Sequence, residues 1–251
     1  SEECILGACW DSCSQAEGTN SYLGCRFLAV PTANMLDPLY AEDFAVVVGN
    51  PSRRAEAEVT IRRGGSVVRA GTVAPASTAA FELPSLPLLA GWEASVQVPQ
   101  GAYEVETNVP VAAYQYNPLH FQVVSPDESQ YVYSYTNDAS LLLPEHVLTG
   151  NYRIMAWPTL GIGDFPGTAE WIPGFFAAAA VQDGTLVELT ASARTLSGPW
   201  GSLQPGENVV LSLDRGEVLQ VFSMIPEAGP GNTCTENEGV EGSNGQTESC
   251  L

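Results

Sequence analysis

The chain is divided into short apolar stretches, each of which ends at glycine, proline or asparagine. FAVVVGN (Phe44–Asn50) is followed by proline, and AEVTIRR (Ala57–Arg63) alternates apolar and polar residues before a Gly-Gly turn. None of these stretches keeps a helical period over two turns, and 18 Pro and 24 Gly interrupt any long helix. Alternation with a period of two between turn residues is typical of antiparallel strands. The sequence therefore predicts an all-β fold.

The two halves of the chain resemble each other. Matching stretches begin at three pairs of residues: Phe44 and Phe176, Val73 and Leu203, and Gly101 and Gly216. Self-similarity of this kind indicates a repeated structural unit. We expect tandem antiparallel β-sandwich-like modules with disulfide-tied N- and C-terminal segments, and β-propeller-like blades are the alternative.

Changes in composition predict four segments. They are a Cys-rich N-terminal segment (1–26), a first β module (27–124), a second β module with its connecting segment (125–225), and a Gly- and Glu-rich tail (226–251). The connecting segment contains three consecutive leucines, residues 141–143, between turn-forming residues. We expect this triplet to be a strand buried on both faces that joins the two modules.

Six cysteines lie near the two ends of the chain: Cys4, Cys9, Cys13, Cys25, Cys234 and Cys250. An even number on segments too short to bury a core indicates disulfides, and the spacing does not fit a zinc site. We expect Cys234 to pair with Cys250, and the four N-terminal cysteines to pair among themselves in a pattern that the sequence leaves open. Disulfides require an oxidising compartment, so we predict an exported protein that is extracellular or at the cell surface.

The charge of the chain limits its partners. The 29 acidic residues exceed the nine basic ones, and the net charge is -20. Such a chain repels phosphate, which argues against binding to nucleic acid or to anionic lipid. No apolar stretch reaches the length of a membrane span. No cofactor is predicted beyond weak calcium binding by oxygen ligands in the tail, for which the candidates are Glu236, Glu238, Glu241 and Glu248.

Catalytic motifs are sparse. The two histidines, His120 and His146, each lie among apolar residues, and the chain has neither a Gly-x-Ser-x-Gly motif nor a zinc-protease motif. Glycoside hydrolysis would need two carboxylates that are remote in sequence. The candidates are Asp127, Glu128, Asp138, Glu145 and Asp164. A solvated face explains the same residues, so we predict that the protein is not an enzyme.

Two stretches place tyrosine at every second position, at Tyr114 and Tyr116 and again at Tyr131, Tyr133 and Tyr135. On a strand such residues share one face. A tyrosine face is either a contact surface for protein or sugar or an ordinary half-buried sheet face. These five tyrosines are the predicted binding residues.

Several stretches together resemble the IgGFc-binding protein N-terminal domain family. They are SYLGCRFLAV (21–30), DFAVVVGNPS (43–52), VPVAAYQYNP (109–118), TNDASLLLPEHVLTGNYRIMAWP (136–158) and FFAAAAVQDGTLVELTAS (175–192). The resemblance covers nearly the whole chain from Ser21, and it is stronger to bacterial, myxobacterial-type extracellular members than to the vertebrate one. It implies an extracellular β region for binding or adhesion, with no catalytic residues to carry over. Family members usually continue past the second unit, which implies that this chain is a truncated or processed part of a longer protein.

Three functions follow as hypotheses. The first is an extracellular or cell-surface binding or adhesion module that contacts a protein or glycan ligand. The second is a structural subunit of an extracellular filament or coat, in which copies of the chain contact each other. The third is a carbohydrate-active enzyme, which would need two facing carboxylates.

Overall fold

A computed structural model shows a chain built almost entirely of antiparallel strands. The structure describes residues 2–5, 8–34, 44–120, 122–124, 131–133, 138–152, 154, 156, 159–162, 170–224 and 248–249. Its strands are β1 (Glu2–Ile5), β2 (Ala8–Asp11), β3 (Gly24–Ala29), β4 (Phe44–Asn50), β5 (Ala57–Arg63), β6 (Ser66–Val73), β7 (Ser77–Leu83), β8 (Val96–Val98), β9 (Tyr103–Tyr116), β10 (Gln122–Val124), β11 (Tyr131–Tyr133), β12 (Ala139–Leu142), β13 (Thr159–Ile162), β14 (Glu170–Ile172), β15 (Phe175–Ala179), β16 (Thr185–Thr190), β17 (Asn208–Leu213), β18 (Val218–Phe222) and β19 (Glu248–Ser249). Its helices are α1 (Ser12–Glu17), α2 (Pro87–Ala90) and a 3-10 helix (Glu145–Val147). The predicted all-β class is confirmed.

The long strand β9 organises the larger unit because its two ends belong to two layers. Near its start, Val105 lies opposite Ile61 on β5 and Phe27 on β3. Near its end, Ala113 lies opposite Val48 on β4 and is also paired with β12. We call the strands at the start of β9 the first layer, which consists of β3, β5 and β6. The strands at its end are the second layer, which consists of β4, β7 and β12. The two layers pack around one core, as in a β-sandwich.

Alternation along these strands fills the core. On β4 the side chains of Phe44, Val46 and Val48 are fully buried. The ring of Tyr103 stacks on that of Phe44, with centroids 5.9 Å apart, and its hydroxyl donates a hydrogen bond of 2.6 Å to the carbonyl of Pro84. A buried Tyr is stable only when its hydroxyl has a partner, so this bond allows the aromatic ring to enter the core.

The second half of the chain forms a smaller unit around β18. This strand pairs with β15 on one side and with β8, from the first half, on the other. Val218 packs into the larger core, whereas Leu219 and Val221 form a smaller core that is covered by the β16–β17 hairpin. Since successive side chains on a strand face opposite ways, β18 is a wall between the two cores.

A buried glutamine fixes β18 in this position. Gln220 is fully buried, accepts a hydrogen bond of 3.0 Å from the backbone N–H of Ala33, and donates one of 2.9 Å to the carbonyl of Leu89. Both backbone partners belong to the first half of the chain. A side-chain amide that is buried without hydrogen-bond partners would be costly. These two bonds therefore favour one position of β18 against the first half of the chain.

The internal repeat and the four predicted segments remain predictions. The pairing of β15 with β18 matches that of β4 with β9, as the repeat requires. However, β16 pairs with β17, whereas the corresponding β5 pairs with β6 and β9. Two strands also pair across the predicted boundaries, since β12 joins β9 and β8 joins β18.

The expectation that residues 141–143 are buried on both faces is wrong. Leu142 is buried in the larger core, but Leu141 and Leu143 are exposed. The reason is that β12 joins β9 in a layer that covers the core with one face only. Alternation therefore operates within the triplet, although three identical residues hide it in the sequence.

One disulfide ties the N-terminal segment to the sandwich. It joins Cys13 on α1 to Cys25 on β3, with Cα atoms 5.8 Å apart. In the hairpin of β1 and β2, Cys4 lies directly opposite Cys9, and a bond between these two cysteines remains a prediction. Cys234 and Cys250 lie outside the described residues. Among the described residues, no helix is long and apolar enough to cross a membrane.

Candidate functional site

An apolar row crosses the outer face of the second layer. Tyr114 on β9 lies opposite Val47 on β4 and Leu141 on β12, and Val47 in turn lies opposite Ala80 on β7. Tyr114 is 38% exposed and Leu141 is 41% exposed. Directly opposed residues share a face, with Cβ atoms about 4.5–5.5 Å apart, so the row is one continuous surface.

A second row borders the first. Tyr116 lies opposite Ala45 on β4 and Ala139 on β12. Tyr116 is half-buried and Ala139 is exposed, but Ala45 is fully buried although it lies on the outer side of the strand. The accessible part is therefore the row of Tyr114 and its neighbours. We call this surface the outer tyrosine face, and it consists of Val47, Ala80, Tyr114, Tyr116, Ala139 and Leu141.

The five predicted tyrosines do not all belong to this surface. Tyr131 and Tyr133 are on β11, which pairs with β10 in a separate two-stranded sheet, and Tyr135 lies outside the described residues. The structure thus brings Tyr114 and Tyr116 together on β9. A binding role for any of the five remains a prediction. Sequence reasoning missed Leu141 and Val47, because only strand register places them beside Tyr114.

A second feature is a group of charged side chains around Arg215, where the two halves of the chain meet. Its Nε donates a hydrogen bond of 2.8 Å to Oε2 of Glu104 on β9. Its Nη2 donates one of 2.6 Å to Oε1 of Glu145 in the 3-10 helix, and its Nη1 donates to the carbonyl of Val181. We call Arg215, Glu104 and Glu145 the charged junction.

Two tight turns hold Arg215 in place. Oδ1 of Asp183 accepts a hydrogen bond of 2.9 Å from the backbone N–H of Arg215, and Oδ1 of Asp214 accepts one of 3.1 Å from Gly184. Gly184 and Gly216 have φ of 68° and 75°, which glycine adopts without strain. The reciprocal bonds lock the two turns together, so the guanidinium is pre-positioned for its two carboxylates.

The charged junction is electrostatically satisfied. The hydrogen bond to Glu145, followed by the bond to Glu104, raises the pKa of Arg215 above its usual value, while partial burial opposes the shift. Both carboxylates of the junction are engaged with one guanidinium. A catalytic acid or base needs to exchange a proton with a substrate, so this arrangement fits a structural role better than glycoside hydrolysis.

The structure describes only some of the other candidates for chemistry. Asp138 and His120 are exposed at the surface, and His146 follows Glu145 in the 3-10 helix. Asp127, Glu128, Asp164 and the tail residues Glu236, Glu238 and Glu241 lie outside the described residues, and Glu248 is on β19. Within the described ranges, no three His, Cys, Asp or Glu side chains group as ligands for a metal.

Comparison with known proteins gives one match. Residues 138–243 match the family model described as IgGFc binding protein, and this segment contains β12, the 3-10 helix and the turn of Arg215. No curated protein and no solved structure matches the chain. The match supports the resemblance to the IgGFc-binding family in the second half of the chain.

Proposed function

We propose that this chain is an extracellular binding module that contacts a protein ligand through the outer tyrosine face. The family match supports a binding role, since the family is described as a binding protein. The disulfide between Cys13 and Cys25 fits an oxidising, extracellular setting. A bacterial origin and an adhesive role are part of the same proposal.

The observation that carries the proposal is the exposed pairing of Tyr114 with Leu141. Large apolar side chains that adjoin one another on a surface are typical of interaction sites, whereas single ones are common everywhere. Here the pair continues into Val47 and Ala80 on two further strands. Tyrosine is enriched at interface hot spots, because it buries a large ring and keeps a polar tip.

The strand framework suits this role. Tyr114 lies on β9, which is paired on both sides, with β4 and with β12. A side chain on a rigid strand loses little additional freedom on binding, which lowers the entropic cost of contact. The pairing of Glu145 with Arg215 supports a non-catalytic function.

Arrays of purified secreted proteins and of glycans test this proposal. The wild-type protein is compared with the double variant Tyr114→Ser and Leu141→Ser. The matched control is Leu186→Ser with Val210→Ser, because these two residues are also exposed and apolar but lie on β16 and β17. We expect protein signals that the first variant loses and the control keeps.

Two results would contradict the proposal. One is a set of signals confined to glycans. The other is protein binding that is equal in the wild type and in the Tyr114 and Leu141 variant. Light scattering of the same samples detects self-association, and regular polymers would favour a filament or coat subunit instead.

A further inference from the structure

A cleft lies beside the charged junction, at the meeting point of α1, β3, the 3-10 helix and the residues that follow β15. Its volume is about 270 Å³. Polar and charged residues line most of it: Glu17, Arg26, Glu145, His146 and Gln182, with Cys25 of the disulfide in its wall. This cleft is separate from the outer tyrosine face, and the inference drawn from it does not depend on the proposed function.

Arg26 brings a partly exposed positive charge to the cleft, in an ion pair with Glu145. Its Nε is 3.9 Å from Oε2 of Glu145, which is longer than a hydrogen bond, and its side chain is 55% exposed. In the described part of the chain, no acceptor lies within hydrogen-bond distance of this guanidinium. The planar fork of an arginine is shaped to take both oxygens of a carboxylate.

Glu145 leaves the hydrogen-bond donors of Arg26 unused, because its carboxylate is bonded to Arg215. Its two oxygens accept hydrogen bonds of 2.6 and 3.4 Å from Arg215. Because Arg215 is shared with Glu104, it offsets the charge of Glu145 only in part. The net charge of -20 opposes anion binding in general. At physiological ionic strength, however, screening acts within about 8 Å, so the charges at the cleft, which are those of Arg26, Glu17 and Glu145 with Arg215 beside it, matter more than distant acidic residues.

His146 adds a polar group that lacks a partner. Its Nε2 is buried and has no hydrogen-bond partner among the described residues. Its position is fixed by close packing, since a Cβ on Gly24 would lie 2.3 Å from Cβ of Pro144 and 3.1 Å from Cε1 of His146. Buried polar atoms without partners are rare, and each one requires an explanation. Since His146 lines the cleft, a polar group of a ligand bound there is a candidate partner for this residue.

We propose that this cleft binds a small carboxylate, held by the guanidinium of Arg26 with the imidazole of His146 beside it. The volume is slightly below the roughly 300–1,000 Å³ of typical ligand sites, so the ligand is of the size of one sugar ring or one amino acid. The carboxylate is supplied either by an acidic sugar or by the C-terminus of a peptide. Both sources present the same group to Arg26.

Nuclear magnetic resonance tests the proposal directly, because the chain has only two histidines. The Cε1–Hε1 signal of His146 reports on the cleft, and that of the exposed His120 is an internal reference. At constant pH, in a buffer without carboxylate, the intact protein is titrated with glucuronate and with N-acetylalanine. Glucose and N-acetylalanine amide are the uncharged counterparts. We expect a saturable shift of His146 alone, with the acids only, and the acid that binds more tightly identifies the source.

Variants of Arg26 separate binding from folding. Arg26→Gln should weaken carboxylate binding about tenfold or more, because the bidentate ionic contact is lost. Arg26→Lys keeps the charge but not the planar fork of the guanidinium. Its affinity for the carboxylate should therefore lie between that of the wild type and that of the Arg26→Gln variant. Arg69→Gln, on the exposed strand β6, should bind like the wild type. Backbone amide spectra as dispersed as that of the wild type in all three would show that the fold is intact.

Three outcomes would overturn the proposal. They are the absence of any His146 shift with either acid, equal shifts with the uncharged counterparts, and undiminished binding by the Arg26→Gln variant.

Discussion

Nη2 of Arg215 lies 2.6 Å from Oε1 of Glu145, and the two residues are separated by 70 positions in the sequence. The same guanidinium binds Glu104, which is 111 positions away. One side chain therefore joins the turn before β18 to the long strand of the larger sandwich and to the 3-10 helix. The charged junction complements Gln220, which ties β18 to the same half of the chain through neutral hydrogen bonds.

Replacing Arg215 with alanine should lower the free energy of unfolding by about 2 kcal/mol, because Glu104 then loses its cation and Glu145 keeps only Arg26, whose Nε is 3.9 Å away. Exposure of the pair to solvent keeps the loss below that of a fully buried one. Urea denaturation measures the change. Arg69→Ala on β6 is the control and should stay within about 0.5 kcal/mol of the wild type. Equal stability of the two variants would show that the charged junction does not hold the units together.

A substitution at Gly24 tests how closely β3 packs against Pro144 beside the cleft. A methyl group at Gly24 would lie 2.3 Å from Cβ of Pro144, so Gly24→Ala should displace the 3-10 helix and cost about 2 kcal/mol. The matched control is Gly150→Ala, because a Cβ at Gly150 meets nothing within 4 Å. Denaturation measures both variants. A Gly24 variant as stable as the Gly150 variant would contradict the close contact between β3 and residue 144.

We expect ionisation of Tyr103 to lower the stability of the protein at alkaline pH. Burial raises the pKa of Tyr103 above its usual value, and the charge of Arg63 opposes this shift to a smaller extent. Because the folded-state pKa is the higher one, the unfolded chain releases this proton first. The protonated Tyr103 hydroxyl therefore makes its full contribution to the free energy of unfolding below about pH 10. That contribution is lost as pH rises through the folded-state pKa.

The variant Tyr103→Phe isolates that contribution. It should be less stable by about 1 kcal/mol near neutral pH, because the hydrogen bond to Pro84 is lost. Its unfolding free energy should also decline less steeply above pH 10 than that of the wild type. Parallel curves for the two proteins between pH 8 and pH 12 would refute the assignment to Tyr103.

Disulfide mapping tests the N-terminal segment. Peptides digested without reduction should link Cys13 to Cys25 and Cys4 to Cys9, with Cys234 linked to Cys250 in the tail. Removing the first bridge by Cys13→Ser with Cys25→Ser should cost roughly 3 kcal/mol, because a short loop of the unfolded chain is then released. A peptide that links Cys4 or Cys9 to Cys25 would contradict the connection between α1 and β3.

The β class could be predicted because its signals are local. Alternation in Phe44–Asn50 and in Ala57–Arg63, closed by turn residues, depends only on neighbouring positions. The two-layer arrangement of β9 could not, because β3, β5, β4 and β12 reach it from distant parts of the chain. Pairing between remote strands depends on the whole core and leaves no mark on a short stretch of sequence.

The candidate sites divide in the same way. Period-two spacing in one strand predicts that Tyr114 and Tyr116 share a face, but the neighbours of Tyr114 on β4 and β12 depend on register. The same dependence explains the error at residues 141–143, where Leu142 enters the core and Leu141 joins the surface. Arg215 carries no local motif, since its two carboxylates come from positions 104 and 145.

The central claim is that the outer tyrosine face binds a protein ligand. The most direct test is the affinity of that ligand, measured by calorimetry, for the wild type, for the Tyr114→Ser and Leu141→Ser variant, and for the Leu186→Ser and Val210→Ser control. We expect the Kd of the first variant to rise at least about tenfold, which corresponds to about 1.4 kcal/mol of binding free energy. The Kd of the control should match that of the wild type. Equal affinities of all three proteins, or a loss confined to the control, would contradict the claim.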